Sequence, residues 1–284
     1  VDPYKTLLMK NIKILPVLLL LMFVNCEKVV EIDVASIPPK LIIDASFEVY
    51  FDETPVTAKT NVKLTLSADY FDTAIPAVLG AKVFVTNLND INIINFLDTD
   101  EDGVYEPQST FIPEDDIEYE LTVIYDNETY KGKATKVKSA KFINVMQGDK
   151  TLFTGKETEV IIEFSDDINA ENFYLVHYTD NRYDALEDRF FNGTEYNKSE
   201  FFDEDDLDLP ETINISMSGV TKEYFTYFRI LINQSGENSG GPFQSVPSSL
   251  LGNLINTTND SNFPLGYFHI SETDIINLDL VEKN

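Results

Sequence analysis

In 284 residues there is one cysteine, Cys26, two histidines and no tryptophan. A lone thiol rules out an intramolecular disulfide. With only His177 and His269 to partner it, Cys–His nucleophiles and mixed Cys–His zinc cages are ruled out as well. The missing tryptophan removes the commonest sugar-stacking side chain. Basic residues are scarce too: 21 Lys and Arg face 49 Asp and Glu, a formal charge of −28 at pH 7. Nucleic acid requires a basic patch. The densest basic stretch here, Lys131, Lys133, Lys136 and Lys138, is interleaved with other residues like one face of a strand, so nucleic acid is excluded as a partner. The same acidity resists adsorption on an anionic membrane. Neither a glycine-rich phosphate loop nor a Gly-x-Ser-x-Gly elbow occurs.

Long apolar runs are equally rare, and the one that exists is informative. Met9 to Lys13 forms a short basic start and Ile14 to Val24 an apolar run, well short of the roughly 20 residues that a spanning helix needs. A basic region followed by an apolar region of this length reads as a signal peptide over 1–25, with Met9 as the start. Cys26 then falls where cleavage should occur. Phe23-Val24-Asn25-Cys26 resembles a lipobox, which makes Cys26 the lipidation site of a bacterial lipoprotein. Residues 26–39, charged and closing on Pro38-Pro39, read as a tether. No later segment reaches spanning length, so the lipid is the expected attachment to the membrane.

Beyond the tether the period is two. Lys40–Phe51, Asn61–Ser67, Ala81–Asn87, Tyr119–Tyr125 and Glu128–Thr135 alternate or run apolar and β-branched, separated by Asn, Asp, Gly and Pro, with Asp126-Asn127 as a hairpin turn. This predicts an N-terminal antiparallel Ig-like β-sandwich over 40–140. A second β-rich domain over 141–284 is predicted from strands at Glu157–Phe164, Asn172–Tyr178 and Thr212–Ser218. It carries one or two short helices. Tyr224, Phe225, Tyr227, Phe228, Leu231 and Ile232 fit a 3.6-residue period opening at Thr221 and ending at Ser235-Gly236, and Ser248–Ile255 offers a second helix capped by Ser248. The fold class is therefore mainly β.

Candidate sites are few. Asp98, Asp100 and Asp102 followed by Gly103 match positions 1, 3, 5 and 6 of a calcium loop, but position 12 is Ser109 and the flanks look like hairpin strands. Calcium and an acidic hairpin turn are the two readings. Asp72-Thr73-Ala74 resembles the short O-glycan acceptor of exported Bacteroidota proteins, which would place sugar on Thr73. Tyr183, Phe190, Phe191, Tyr196, Phe201 and Phe202 crowd a segment of weak periodicity. They form either an exposed partner-contact patch or packing onto the second domain. The remaining acidic pairs are too numerous to single out two as catalytic, and His177 and His269 read as strand residues packed among aromatics.

The order of several short motifs is similar to one known family. Cys26-Glu27-Lys28-Val29-Val30-Glu31-Ile32, then Pro39-Lys40-Leu41-Ile42-Ile43-Asp44-Ala45, resembles the opening of the lipoproteins of Bacteroidota grouped as domain of unknown function 4249. Val78-Leu79-Gly80-Ala81-Lys82-Val83, Asp102-Gly103-Val104-Tyr105 and Tyr119-Glu120-Leu121-Thr122-Val123 resemble that family's inner strands. Gly241-Pro242-Phe243, Leu251-Gly252-Asn253-Leu254 and Leu265-Gly266-Tyr267-Phe268 resemble its closing elements. The resemblance implies no activity. It implies a non-enzymatic lipoprotein of the cell outer membrane, lipid-anchored and surface exposed, accessory to a TonB-dependent receptor as partner. A stand-alone adhesin or glycan-binding β-sandwich protein is the alternative.

Overall fold

Alternation is plainest in the first strand. In β1 (Leu41–Tyr50), Leu41, Ile43, Ala45, Phe47 and Val49 are buried, whereas Ile42, Asp44, Ser46, Glu48 and Tyr50 face the other way, as a period of two requires. The computed structural model describes residues 38–68, 74–179, 182–235 and 250–282. In them, β2 (Thr57–Lys59), β3 (Val62–Leu66), β4 (Lys82–Asn87), β5 (Ile93–Leu97), β6 (Val104–Pro107), β7 (Glu118–Tyr125) and β8 (Glu128–Val137) follow β1. Next come β9 (Phe142–Gly148), β10 (Thr158–Ser165), β11 (Phe173–Thr179), β12 (Arg182–Glu187), β13 (Glu195–Phe202) and β14 (Glu211–Gly219). After the helix α1 (Lys222–Ser235) the chain closes with β15 (Ile255–Asn256) and β16 (Leu265–Leu280). The protein is mainly β, as the alternation predicts. No helix among the described residues is long and apolar enough to cross a membrane. Cys26, the tether before Pro38 and Thr73 lie outside the described residues.

Local chemistry sets the turns. Asp126 and Asn127 take positive φ of 48° and 61°, and Tyr125 pairs with Glu128, the two-residue hairpin that Asn and Asp tolerate best after glycine. Thr221 caps α1 by accepting the Tyr224 N–H on its Oγ1 at 3.2 Å. Glu223 sits in the first turn, favourable to the helix dipole.

Non-local pairing sets the architecture. β1 runs parallel to β16, Ile42 opposite Leu265 through Tyr50 opposite Thr273. From β16 the hydrogen-bonded path passes through β1, β3, β6, β5, β4, β7 and β8, and β8 touches β16 again at Ile270 and Ser271. The two layers of the first sandwich are therefore joined along both sides, leaving little open edge there. Phe47 anchors its core, with ring centroids 5.9 Å from Phe96, 6.1 Å from Phe111 and 5.3 Å from Phe268. The far half of β16 pairs with β14, and β11 and β12 continue that sheet. The separate three-stranded sheet β13-β10-β9 contributes Phe164, Val160 and Ile162 to a second core with Tyr174, Val176 and Ile215.

The first core does not end near residue 140. Leu254, Phe268 and Ile270 belong to it, so the chain leaves the first sandwich, builds the second, and returns. Residues Pro39–Asn284 form one compact unit. The described part of the predicted helix at Ser248–Ile255 is not helical: residues 250–254 are irregular and β15 follows. Tertiary contacts hold it extended. Asn253 Nδ2 donates to the carbonyls of Phe268 at 2.7 Å and Lys133 at 3.0 Å, and its Oδ1 accepts the Phe268 N–H at 2.9 Å.

Candidate functional site

Both cores draw on one side of the long sheet, and the residues that face away from them line a cleft of about 870 Å³. Its floor crosses five adjacent strands, β12, β11, β14, β16 and β1. Pairing sets the floor residues side by side: His177 opposite Tyr183 and Ser216, Leu175 opposite Ser218, Tyr267 opposite Asp44, His269 opposite Ser46. The roof is α1, whose apolar stripe docks by Phe225 against Phe173 at 5.1 Å and presents Tyr224, Tyr227, Phe228 and Leu231 to the cleft.

Aromatic rings form an arch over the floor. His177 stacks on Tyr183 at 4.4 Å, Tyr183 meets Phe228 edge-on at 5.2 Å, and Phe228 lies 5.7 Å from Tyr224. Tyr267 completes it, 4.8 Å from Tyr224 at 67° and 5.0 Å from Tyr227 at 54°. Beside the arch runs the polar face of β1. Asp44 Oδ1 accepts the Ser46 hydroxyl at 3.0 Å and Glu48 Oε2 accepts the Tyr50 hydroxyl at 3.0 Å. Burial pushes the Tyr183, Tyr224 and Tyr227 phenols up, and the Asp44 charge pushes each of them further. These phenols are neutral hydrogen-bonding groups at neutral pH.

His269 and Ser271 lie 3.2 Å apart, a spacing that in an enzyme could join base and nucleophile. Here the serine is sealed. Ser271 is fully buried, and Tyr224 stacks on the imidazole at 3.9 Å. Burial pulls His269 down to about 3, so the ring is neutral above that pH. His269 thus lines the cleft floor, with the serine packed behind it.

The residues singled out in the sequence scatter. Of the six aromatics, Phe191 and Phe202 are buried in the second core, and Tyr196 packs on Phe191 at 4.1 Å. Phe201 is half-buried on β13, Phe190 is 88% exposed, and only Tyr183 reaches the cleft. They make no single surface, because alternation along β13 sends neighbours to opposite faces. Asp98, Asp100 and Asp102 sit in the β5–β6 hairpin. Asp98 accepts the N–H groups of Asp102 and Gly103 at 3.2 and 3.1 Å, and Asp102 accepts that of Val104 at 2.8 Å. Two of the three carboxylates thus close the turn. Among the described residues no three His, Cys, Asp or Glu side chains are grouped to hold a metal ion. Sequence reasoning passed over the cleft itself. Its signal was the run Asp44-x-Ser46-x-Glu48-x-Tyr50, polar on one face of an otherwise apolar strand.

The model of a family described as domain of unknown function (DUF4249) matches residues 27–275. Among solved structures, the chicken interferon gamma receptor alpha chain is similar at 11% identity, over 64% of this chain and 88% of that one, with a TM-score of 0.20. A score that low carries no argument about function. No curated protein matches.

Proposed function

The chain belongs to the DUF4249 family, and on that premise we propose that it is a lipid-anchored binding protein of the outer membrane. In this reading Cys26 carries the lipid, and the protein serves a TonB-dependent receptor as a non-enzymatic accessory, holding a small organic ligand in the cleft under α1. The cleft is the observation that supports it. Its volume of about 870 Å³ lies in the range of ligand sites, roughly 300–1,000 Å³, as does its mixture of aromatic wall and a few convergent polar groups. Ser271, the serine within hydrogen-bond distance of His269, is fully buried, which favours binding over turnover at that pair. Charge favours the same assignment, since a chain at −28 needs a lipid to stay on an anionic membrane.

Mild-detergent extraction of native outer membrane, followed by affinity purification, is expected to recover a TonB-dependent receptor with the wild-type chain. Cys26→Ser is expected to release the protein from the membrane fraction. Purification as a lone monomer, together with specific binding on a glycan array, would replace this reading with the adhesin alternative.

A further inference from the structure

The chemistry of the cleft narrows the class of ligand, on the reading that it is a ligand site. We infer that it binds a small organic cation, an alkylammonium or guanidinium group on an apolar body, with Asp44 as counter-ion and the rings of Tyr183, Tyr227 and Tyr267 as walls.

Three observations converge. Asp44 and Glu48 face the cleft with one hydrogen bond each, and neither enters an ion pair among the described residues. Lys63 and Lys59 lie opposite them in the strand register, yet form no ion pair with them. Lys59 lines the same cleft but stands beyond ion-pair distance of both carboxylates, so two negative charges face one positive charge there and a cationic ligand improves the balance. Secondly, Asp44 stands opposite Tyr267 in the β1–β16 register and lines the cleft together with Tyr183, Tyr224 and Tyr227, which sets its solvent-accessible carboxylate beside the arch. Thirdly, the rings are mutually inclined, at 67° for Tyr224 and Tyr267, 54° for Tyr227 and Tyr267 and 65° for Tyr183 and Phe228. A sugar stacks on one flat platform. Rings set at steep angles form no such platform; they line a concave aromatic wall beside the carboxylates, the setting in which an ammonium on an apolar body is favoured. His269, neutral in its buried site, brings no opposing positive charge, and an anionic ligand would meet both carboxylates and the field of a −28 chain.

Titration calorimetry on the full chain tests this with choline and its neutral isostere 3,3-dimethylbutanol. Choline is expected to bind roughly two- to thirty-fold tighter than the isostere, the span of a cation–aromatic contact. Asp44→Asn is expected to weaken choline by about 1.5- to fivefold, the scale of an exposed charge pair, without changing the isostere. Circular dichroism confirms that the variant folds. Equal binding of the two probes, or indifference of choline to Asp44→Asn, overturns the inference. Binding of the isostere alone, lost in Tyr227→Leu, overturns the cation and leaves the cleft a ligand site. Binding of neither probe by the folded chain also overturns it, and leaves the role beside a receptor to the co-purification.

Discussion

Phe268→Ala asks whether the first sandwich depends on a strand more than 120 residues beyond its last other long strand. Phe268 is 0% exposed and its ring meets Phe47 at 5.3 Å and 76°. On its other flank β8 approaches so closely that a Cβ on Gly132 would lie 3.5 Å from that of Phe268. Truncating a buried phenylalanine costs about 3–5 kcal/mol, because the cavity left behind collapses only in part. The edge-on pairing with Phe47 accounts for about 0.5–1.5 kcal/mol of that. At roughly 2–4 °C per kcal/mol for a unit of this size, Tm should fall by about 6–20 °C. The assay is thermal unfolding followed by far-ultraviolet circular dichroism, with Ile255→Ala as the control, since Ile255 is 63% exposed on β15 and should leave Tm nearly unchanged. Because β16 also pairs with β14, both cores should melt in one transition. Two transitions with the first unmoved, or a fall below about 3 °C, would refute the claim that β16 completes the first core.

Gly266→Ala should be more damaging than its size suggests. A Cβ there would stand 2.0 Å from the Ile43 carbonyl oxygen at a φ of +97°, so the β1–β16 pairing must open, and an unchanged urea midpoint would contradict the register. Glu128 predicts a pH dependence. Hydrogen bonds from Tyr130, Asn259 and Asn262 hold its carboxyl down to about 2, so the stabilisation is complete above its usual value near 4.5 and is lost as pH falls toward 2. Protection factors of residues 255–263, exchange corrected for the intrinsic pH dependence of the amides, should therefore fall between pH 5 and 2.5 in wild type and much less in Glu128→Gln; equal behaviour of the two would reject this role. Thr221→Ala should destabilise α1 by about 0.5–2 kcal/mol, read by chemical denaturation, and an unaltered midpoint would mean that the cap is idle.

What could be read from the chain alone was whatever neighbours in sequence decide. The alternation of β1, the Asp126-Asn127 hairpin and the Thr221-capped stripe of α1 depend on residues one to four positions apart, and each is found where the pattern puts it. The Asp98–Gly103 run shows the limit of that reading. Its residue types fit either a cation loop or a turn, and only the β5–β6 pairing of Leu97 with Glu106 shows that the run connects two hairpin strands. The helix expected at Ser248–Ile255 fails in its described part because Asn253 bonds to backbone of β16 and β8, partners that no local propensity announces.

The cleft belonged entirely to tertiary structure. Its residues come from strands whose partners lie as far apart as Ile42 and Leu265. A period of two states which side chains share a face but not what that face will meet. Hence neither the polar face of Asp44, Ser46 and Glu48 nor the aromatic stripe of α1 marks a cleft in the sequence. Folding brought the two together as floor and roof. It also divided the six aromatics of 183–202 among core, solvent and cleft, because packing and not composition decides which face of a strand is buried.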